Sequence, residues 1–171
     1  MFLYVAAGPV YVTRVLHRPP TDVFVVFVPI MLGLMVGLFL LPHWAKWWRK
    51  ADTLVANYGL LAVAHVANLL LAWFGVEGGW VLVPMALCSL GIGLCMPVLV
   101  ARALQPFAAL AGMAASLQMF LQYAWMAVTA GWIAPNLWSS PVGLASASAG
   151  LSVLGGVLVL GRVGVRAPVR G

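Results

Sequence analysis

The stretch Asp22–Pro42, DVFVVFVPIMLGLMVGLFLLP, carries one ionisable side chain, at its first position. At 1.5 Å per residue a helix of this length reaches about 31 Å, enough to cross a hydrocarbon core of about 30 Å. The apolar residues do not alternate, as the strands of a membrane barrel would over runs of about ten residues. Valine, leucine and phenylalanine fall on every face, so no side of the helix is built for water. A backbone in that setting must satisfy its own N–H and C=O groups, which a helix does and an open strand does not.

Working outward, the same kind of run recurs along the chain. Apolar segments are expected at residues 1–12, 22–42, 53–74, 80–103, 108–133 and 142–161, followed by a tail at residues 162–171. The connectors, Thr13–Thr21, His43–Asp52, Gly75–Gly79, Leu104–Phe107 and Ala134–Pro141, hold Pro, Gly, Asn or charged residues and read as turns. Of the 171 residues 64% are hydrophobic and 7% charged, against about 25% charged in a soluble domain. The expectation is an all-α integral membrane protein, a six-helix bundle forming a single transmembrane domain. The first segment is too short to span. It is either a re-entrant piece or the end of a helix whose upstream residues are missing. The second option gives an even six-helix unit with both ends on one side, and is the expectation adopted.

The net charge of +6 is placed by topology. Lys46, Arg49, Lys50, Arg102, Arg162, Arg166 and Arg170 fall on one side of the alternating segments, and only Arg14 and Arg18 on the other. The positive-inside rule sets the larger group in the cytoplasm of a multi-pass inner (plasma) membrane protein, with a cytoplasmic C-terminus. Membrane lipid is therefore the expected partner, and no nucleic acid. Trp80, Trp132 and Trp138 near one face, and Trp44, Trp47 and Trp48 near the other, read as interfacial belts.

Chemistry-bearing residues are few. Asp22 and Asp52 open spans, where a helix N-terminus favours an anion, and Glu77 is in a loop. His65 is the one titratable group well inside a span. It is either a proton relay or a histidine packed and hydrogen-bonded against a neighbouring helix. Asn57, His65 and Asn68 share an arc under about 90° at 100° per residue, suiting bonds between helices. Cys88 and Cys95 share a face about 10 Å apart, too far to bridge, and read as packing residues. Gln118, Gln122, Trp125 and Thr129 are spaced i, i+4, i+7 and i+11. Such a stripe faces either a substrate cavity or another helix. Gly33 and Gly37, and Ser148, Ser152 and Gly156, mark close helix contacts. Pro29, Pro84 and Pro97 are expected to kink their spans. With no paired carboxylate, HExxH, GxSxG or phosphate-binding loop, the chain is not expected to be an enzyme. No cofactor or metal is expected.

One region is more specific. Gly91-Ile-Gly93-Leu-Cys-Met-Pro97, then Leu104-Gln-Pro106-Phe107, then Ala111-Gly112-Met-Ala114-Ala115-Ser116 resembles the tenth and eleventh helices of a major facilitator superfamily transporter. The closest branch is the Bcr/CflA-type drug/proton antiporters. Tyr4 to Asp52 is similar to the seventh and eighth helices, but the basic loop His43–Lys50 lacks the family's Asp-Arg-x-Gly core. The resemblance implies the C-terminal half of a proton-coupled exporter of small, partly apolar molecules. Its partners would be a missing N-terminal six-helix half, a small-molecule substrate and protons. The family's seventh, eighth, tenth and eleventh helices line the cavity. That would bring the Gln118 stripe to substrate and leave His65 away from it. A homodimeric six-helix transporter and a non-transport membrane scaffold are the alternatives.

Overall fold

The computed structural model describes residues 2–47, 50–76, 78–137 and 140–165. Trp48, Arg49, Glu77, Trp138, Arg166 and Arg170, all named in the sequence reading, lie outside them.

The described regular structure is helical throughout. Six elements carry the argument: α1 (Phe2–Arg14), α2 (Phe24–Trp47), α3 (Lys50–Trp73), α4 (Leu82–Leu104), α5 (Ala111–Val128) and, after a π-turn at Thr129–Ile133 and a short α6 (Ala134–Leu137), α7 (Pro141–Val165). Four continuous helical stretches are long and apolar enough to cross a membrane: Pro20–His43, Leu54–Trp73, Gly79–Leu137 and Pro141–Val159. The chain is therefore a helical membrane protein. The 59-residue stretch Gly79–Leu137 is not one straight rod. It breaks in a 3-10 turn at Gln105–Leu110, where Phe107 (φ −111°, ψ 29°) leaves helical geometry. It then folds back, because Val81 and Met85 at its start and Ala134 near its end meet in one buried cluster.

Helix directions follow from residue pairs. Gly33 lies against the Ala86 carbonyl and Gly37 against that of Leu90, so α2 and α4 run parallel. Leu61 meets Gly91 and His65 meets Cys88, so α3 runs opposite to α4. His65 meets Ser152 and Tyr58 meets Gly156, so α7 again runs opposite to α3. The C-terminal ends of α2, α4 and α7 therefore lie together. They carry Lys46, Arg102 and Arg162 respectively. Arg14 and Arg18 are at the opposite end, where Arg14 lines a small cleft with Gly75 and Pro141. The exposed Trp73, Trp80 and Trp132 lie near that same end.

Without water to drive association, membrane helices are held by close packing, which small residues permit. The α2–α4 contact shows this. A Cβ on Gly33 or Gly37 would strike a backbone carbonyl of α4, and one on Gly93 would stand 2.5 Å from the Leu34 carbonyl oxygen. A backbone atom cannot swing aside as a side chain can. Gly91 is also tight, but against the movable Leu61 side chain.

Several local expectations are corrected. The connector at residues 43–52 is mostly helix, since α2 runs to Trp47 and α3 begins at Lys50. The turn expected at Leu104–Phe107 extends to Leu110. The loop expected at Ala134–Pro141 begins as helix. Pro84 is the third residue of α4, directly after the 3-10 turn Gly79–Val81. Pro29 and Pro97 lie within their spans as expected, inside α2 and α4. The π-turn has a local cause. Pro135 has no N–H for the Gly131 carbonyl and its ring crowds that oxygen, so the hydrogen-bond ladder widens there.

α1 is about 20 Å long, short of a full crossing. It is nevertheless central. Leu3, Tyr4, Ala7, Tyr11 and Val12 are all buried and form one stripe, packed with Val26, Ile30, Val81, Met85 and Leu144. Tyr4 and Tyr11 meet edge to face, with centroids 5.9 Å apart.

Candidate functional site

Two places concentrate polar chemistry. The first is the stripe on α5. Gln118 and Gln122 are half-buried, Thr129 is buried, and Trp125 is 53% exposed. The half-covered face of α5 is completed by Ala115 and Met126 rather than by Trp125. The Thr129 hydroxyl donates to the Trp125 carbonyl at 2.8 Å, so it is spent on its own helix. None of Ala111–Val128 is fully buried. Met113, Leu117, Phe120, Leu121, Tyr123 and Val128 are exposed. α5 is held mainly at its two ends, by the Gln105–Leu110 turn and by the Thr129–Leu137 segment against α1 and α7. Of the motif residues, Gly91 and Gly93 are buried contact points, Pro97 is half-buried in α4, and Pro106 and Gly112 are exposed around the turn into α5.

The second place is a buried polar cluster at the junction of α1, α3, α4 and α7. Asn57, His65 and Asn68 are all buried, as their shared arc on α3 requires. Each meets a different environment. The Asn68 amide donates to the Tyr4 hydroxyl of α1, and Tyr4 also faces Ser148 of α7. His65 Nδ1 donates to the Leu61 carbonyl, 2.7 Å away on its own helix, with the Cys88 sulfur at 3.6 Å. His65 Nε2 pairs with the Ser152 hydroxyl at 3.0 Å. A small void is walled by Tyr4, His65, Asn68, Cys88 and Ser89. Asn57 is fully buried with its amide beside the Cys95 thiol, and no described oxygen or nitrogen stands at hydrogen-bonding geometry to it. Both cysteines are free. No three of the described His, Cys, Asp and Glu residues gather in one place.

His65 thus sits as a packed, doubly bonded histidine. Its partners were not legible in sequence. Ser152 was read as a packing residue, and the small-residue spacing that flagged it carried no sign of the histidine opposite.

Two grooves flank this cluster. The larger, of about 440 Å³, runs between α3 and α7 over Tyr58, His65, Ser152 and Gly156. The smaller, of about 200 Å³, lies between α3, α4 and α7 and shares Tyr58, Leu61 and Ser152 with it. Gln118, Gln122, Trp125 and Thr129 line neither. No family model, curated protein or solved structure matches this chain.

Proposed function

We propose that the chain is the C-terminal half of a proton-coupled secondary transporter of the major facilitator superfamily, exporting small, partly apolar molecules by alternating access. The observation that carries this reading is α5. It is a long apolar helix with two half-buried glutamines, standing against the bundle by its ends and leaving its length uncovered. Such a helix suits one wall of a cavity closed by a second six-helix half. Fold-back at Gln105–Leu110 makes five long crossings, and α1 supplies the sixth segment. The Gly91–Ser116 resemblance points to the drug/proton antiporter branch. On this reading Gln118, Gln122 and Trp125 contact substrate, and an acid that handles protons belongs to the other half.

The test is Gln122→Ala in the assembled transporter, read by proton-driven dye efflux and by folded yield. A changed substrate range or affinity with a near-normal yield supports the reading. A lowered yield with an unchanged substrate profile assigns Gln122 to packing instead. A homodimer is the second reading, because a second copy could equally cover the bare length of α5.

The end that carries Lys46, Arg102 and Arg162 is assigned to the cytoplasm of the inner membrane. Single cysteines are introduced at Lys46 and at Gly79 in a Cys88→Ala, Cys95→Ala background. An impermeant thiol reagent added to intact cells is expected to label position 79 and spare position 46. Labelling of position 46 from outside reverses the topology.

A further inference from the structure

Most of the described serine and threonine hydroxyls of this bundle donate within their own helix, and one is turned onto a histidine of another. Ser89, Ser116, Thr129, Ser146 and Ser148 each donate to a carbonyl of their own helix. Ser152 does not. Its one described bond runs across to His65 Nε2 of α3. The Leu61 carbonyl can only accept, so Nδ1 carries the proton in that contact. In the neutral ring Nε2 is then the acceptor and Ser152 the donor. The Ser152 oxygen keeps its lone pairs, and Ser152 is a lining residue of the groove between α3 and α7 and of the smaller one beside it.

That groove, about 440 Å³, falls within the size of a small-molecule site. Its floor includes Gly59, Ala62, Ala149 and Gly156, which let a slim body lie close to both helices. Val55, Val66, Val153 and Val157 line it and are each more than half exposed. Its mouth therefore opens onto apolar surface that faces lipid, and an occupant enters from the bilayer. Depth then selects the occupant. His65 lies eight residues before the end of α3 at Trp73, about 12 Å along the axis. Near mid-bilayer a dissolved hydroxyl has no water and no partner. A bare acceptor at that depth favours a molecule that carries a donor over the acyl chains around it, which carry none.

The geometry points to a binding site, between α3 and α7, for an uncharged lipid-soluble phenol or alcohol whose O–H donates to the Ser152 oxygen while its apolar body fills the groove. His65 is the positioning residue, since it holds the serine proton and so leaves the oxygen's lone pairs for a donor. The site lies away from the α5 stripe, and its test reads binding rather than transport, so it stands or falls separately from the transporter reading.

The test uses the purified chain in phosphatidylcholine liposomes, with 4-hydroxybenzophenone and its 4-methoxy ether as photoreactive probes and peptide mapping of the adducts. The hydroxy probe is expected to label α3 and α7 about threefold to tenfold more than the ether, as one net hydrogen bond implies. Ser152→Ala combined with His65→Leu, so that loss of the serine does not bare Nε2 as a new acceptor, should bring that ratio to about one while labelling by the ether persists. Gly59 has open space around the position of a Cβ, so Gly59→Leu should fill the groove and remove labelling by both probes. Each variant is checked for a monodisperse elution peak. Equal labelling of the native chain by both probes overturns the proposal. So does a hydroxyl preference that survives the Ser152→Ala, His65→Leu pair, or labelling spread evenly onto the exposed face of α2. If that double variant elutes as aggregate, Gly59→Leu decides: retained α3–α7 labelling overturns the site and its loss supports it.

Discussion

Gly33→Leu is expected to abolish the folded bundle, and Gly37→Leu to do the same. At both positions the first side-chain carbon meets a main-chain carbonyl of α4. Overpacking a core typically costs about 1–3 kcal/mol when side chains can yield. Here the obstacle is backbone, so α2 and α4 must separate along their whole contact. Gly93 faces the Leu34 carbonyl from the other side, which leaves no free direction for the shift. Separation also removes the packing that holds membrane helices together where the hydrophobic effect between them is absent. Fluorescence-detected size-exclusion chromatography in mild detergent should show loss of the monodisperse peak. Gly150→Ala is the control. Nothing lies within 4 Å of its added carbon, and a helical Gly-to-Ala change gains up to about 1 kcal/mol. A wild-type peak for Gly33→Leu would show that α2 and α4 do not pack this way.

The chain expressed and reconstituted alone is expected to show no proton-driven efflux, a complete loss against a full transporter. All its acidic residues are Asp22, Asp52 and Glu77. Asp22 lies in the 3-10 turn before α2, where it pairs with Arg18 at 3.7 Å. None is placed at mid-bilayer on the described helices, where a proton-coupling carboxylate would have to act. The uncovered length of α5 gives a substrate one wall and no opposite wall. Dye efflux from liposomes containing only this chain, dependent on an imposed pH gradient, would overturn the half-transporter reading and favour the homodimer.

Much of the fold was legible before any coordinates. Segment lengths are readable because helix rise is constant and the bilayer has a fixed thickness. That the Gly33–Gly37 pair was a contact surface was readable because only glycine lets two backbones meet. That Asn57, His65 and Asn68 share a face was readable from helical periodicity. Their burial followed, since an amide facing lipid has no partner. The two glutamines on α5 were placed on the covered face by the same reasoning. Trp125 was grouped with them by angle, but the cover over α5 is shallow and does not enclose its indole ring.

What the chain alone could not decide was who meets whom. Periodicity gives each helix a face but no partner and no rotation relative to it. It could not say that Gly33 meets α4 rather than α3, that Asn68 finds Tyr4, or that Asn57 lies against Cys95. It showed that α1 is shorter than a span but not which helices bury it, because burial depends on what surrounds a segment. It read Ser152 as a small packing residue, because size is a property of the residue and a hydrogen-bond direction is a property of the pair. Composition and spacing determined that this protein is a bundle of helices for lipid, since those depend on one dimension of the chain and the thickness of the bilayer. The tertiary structure decided which polar groups are satisfied and which lone pairs remain open, since that depends on how separate helices are rotated against one another.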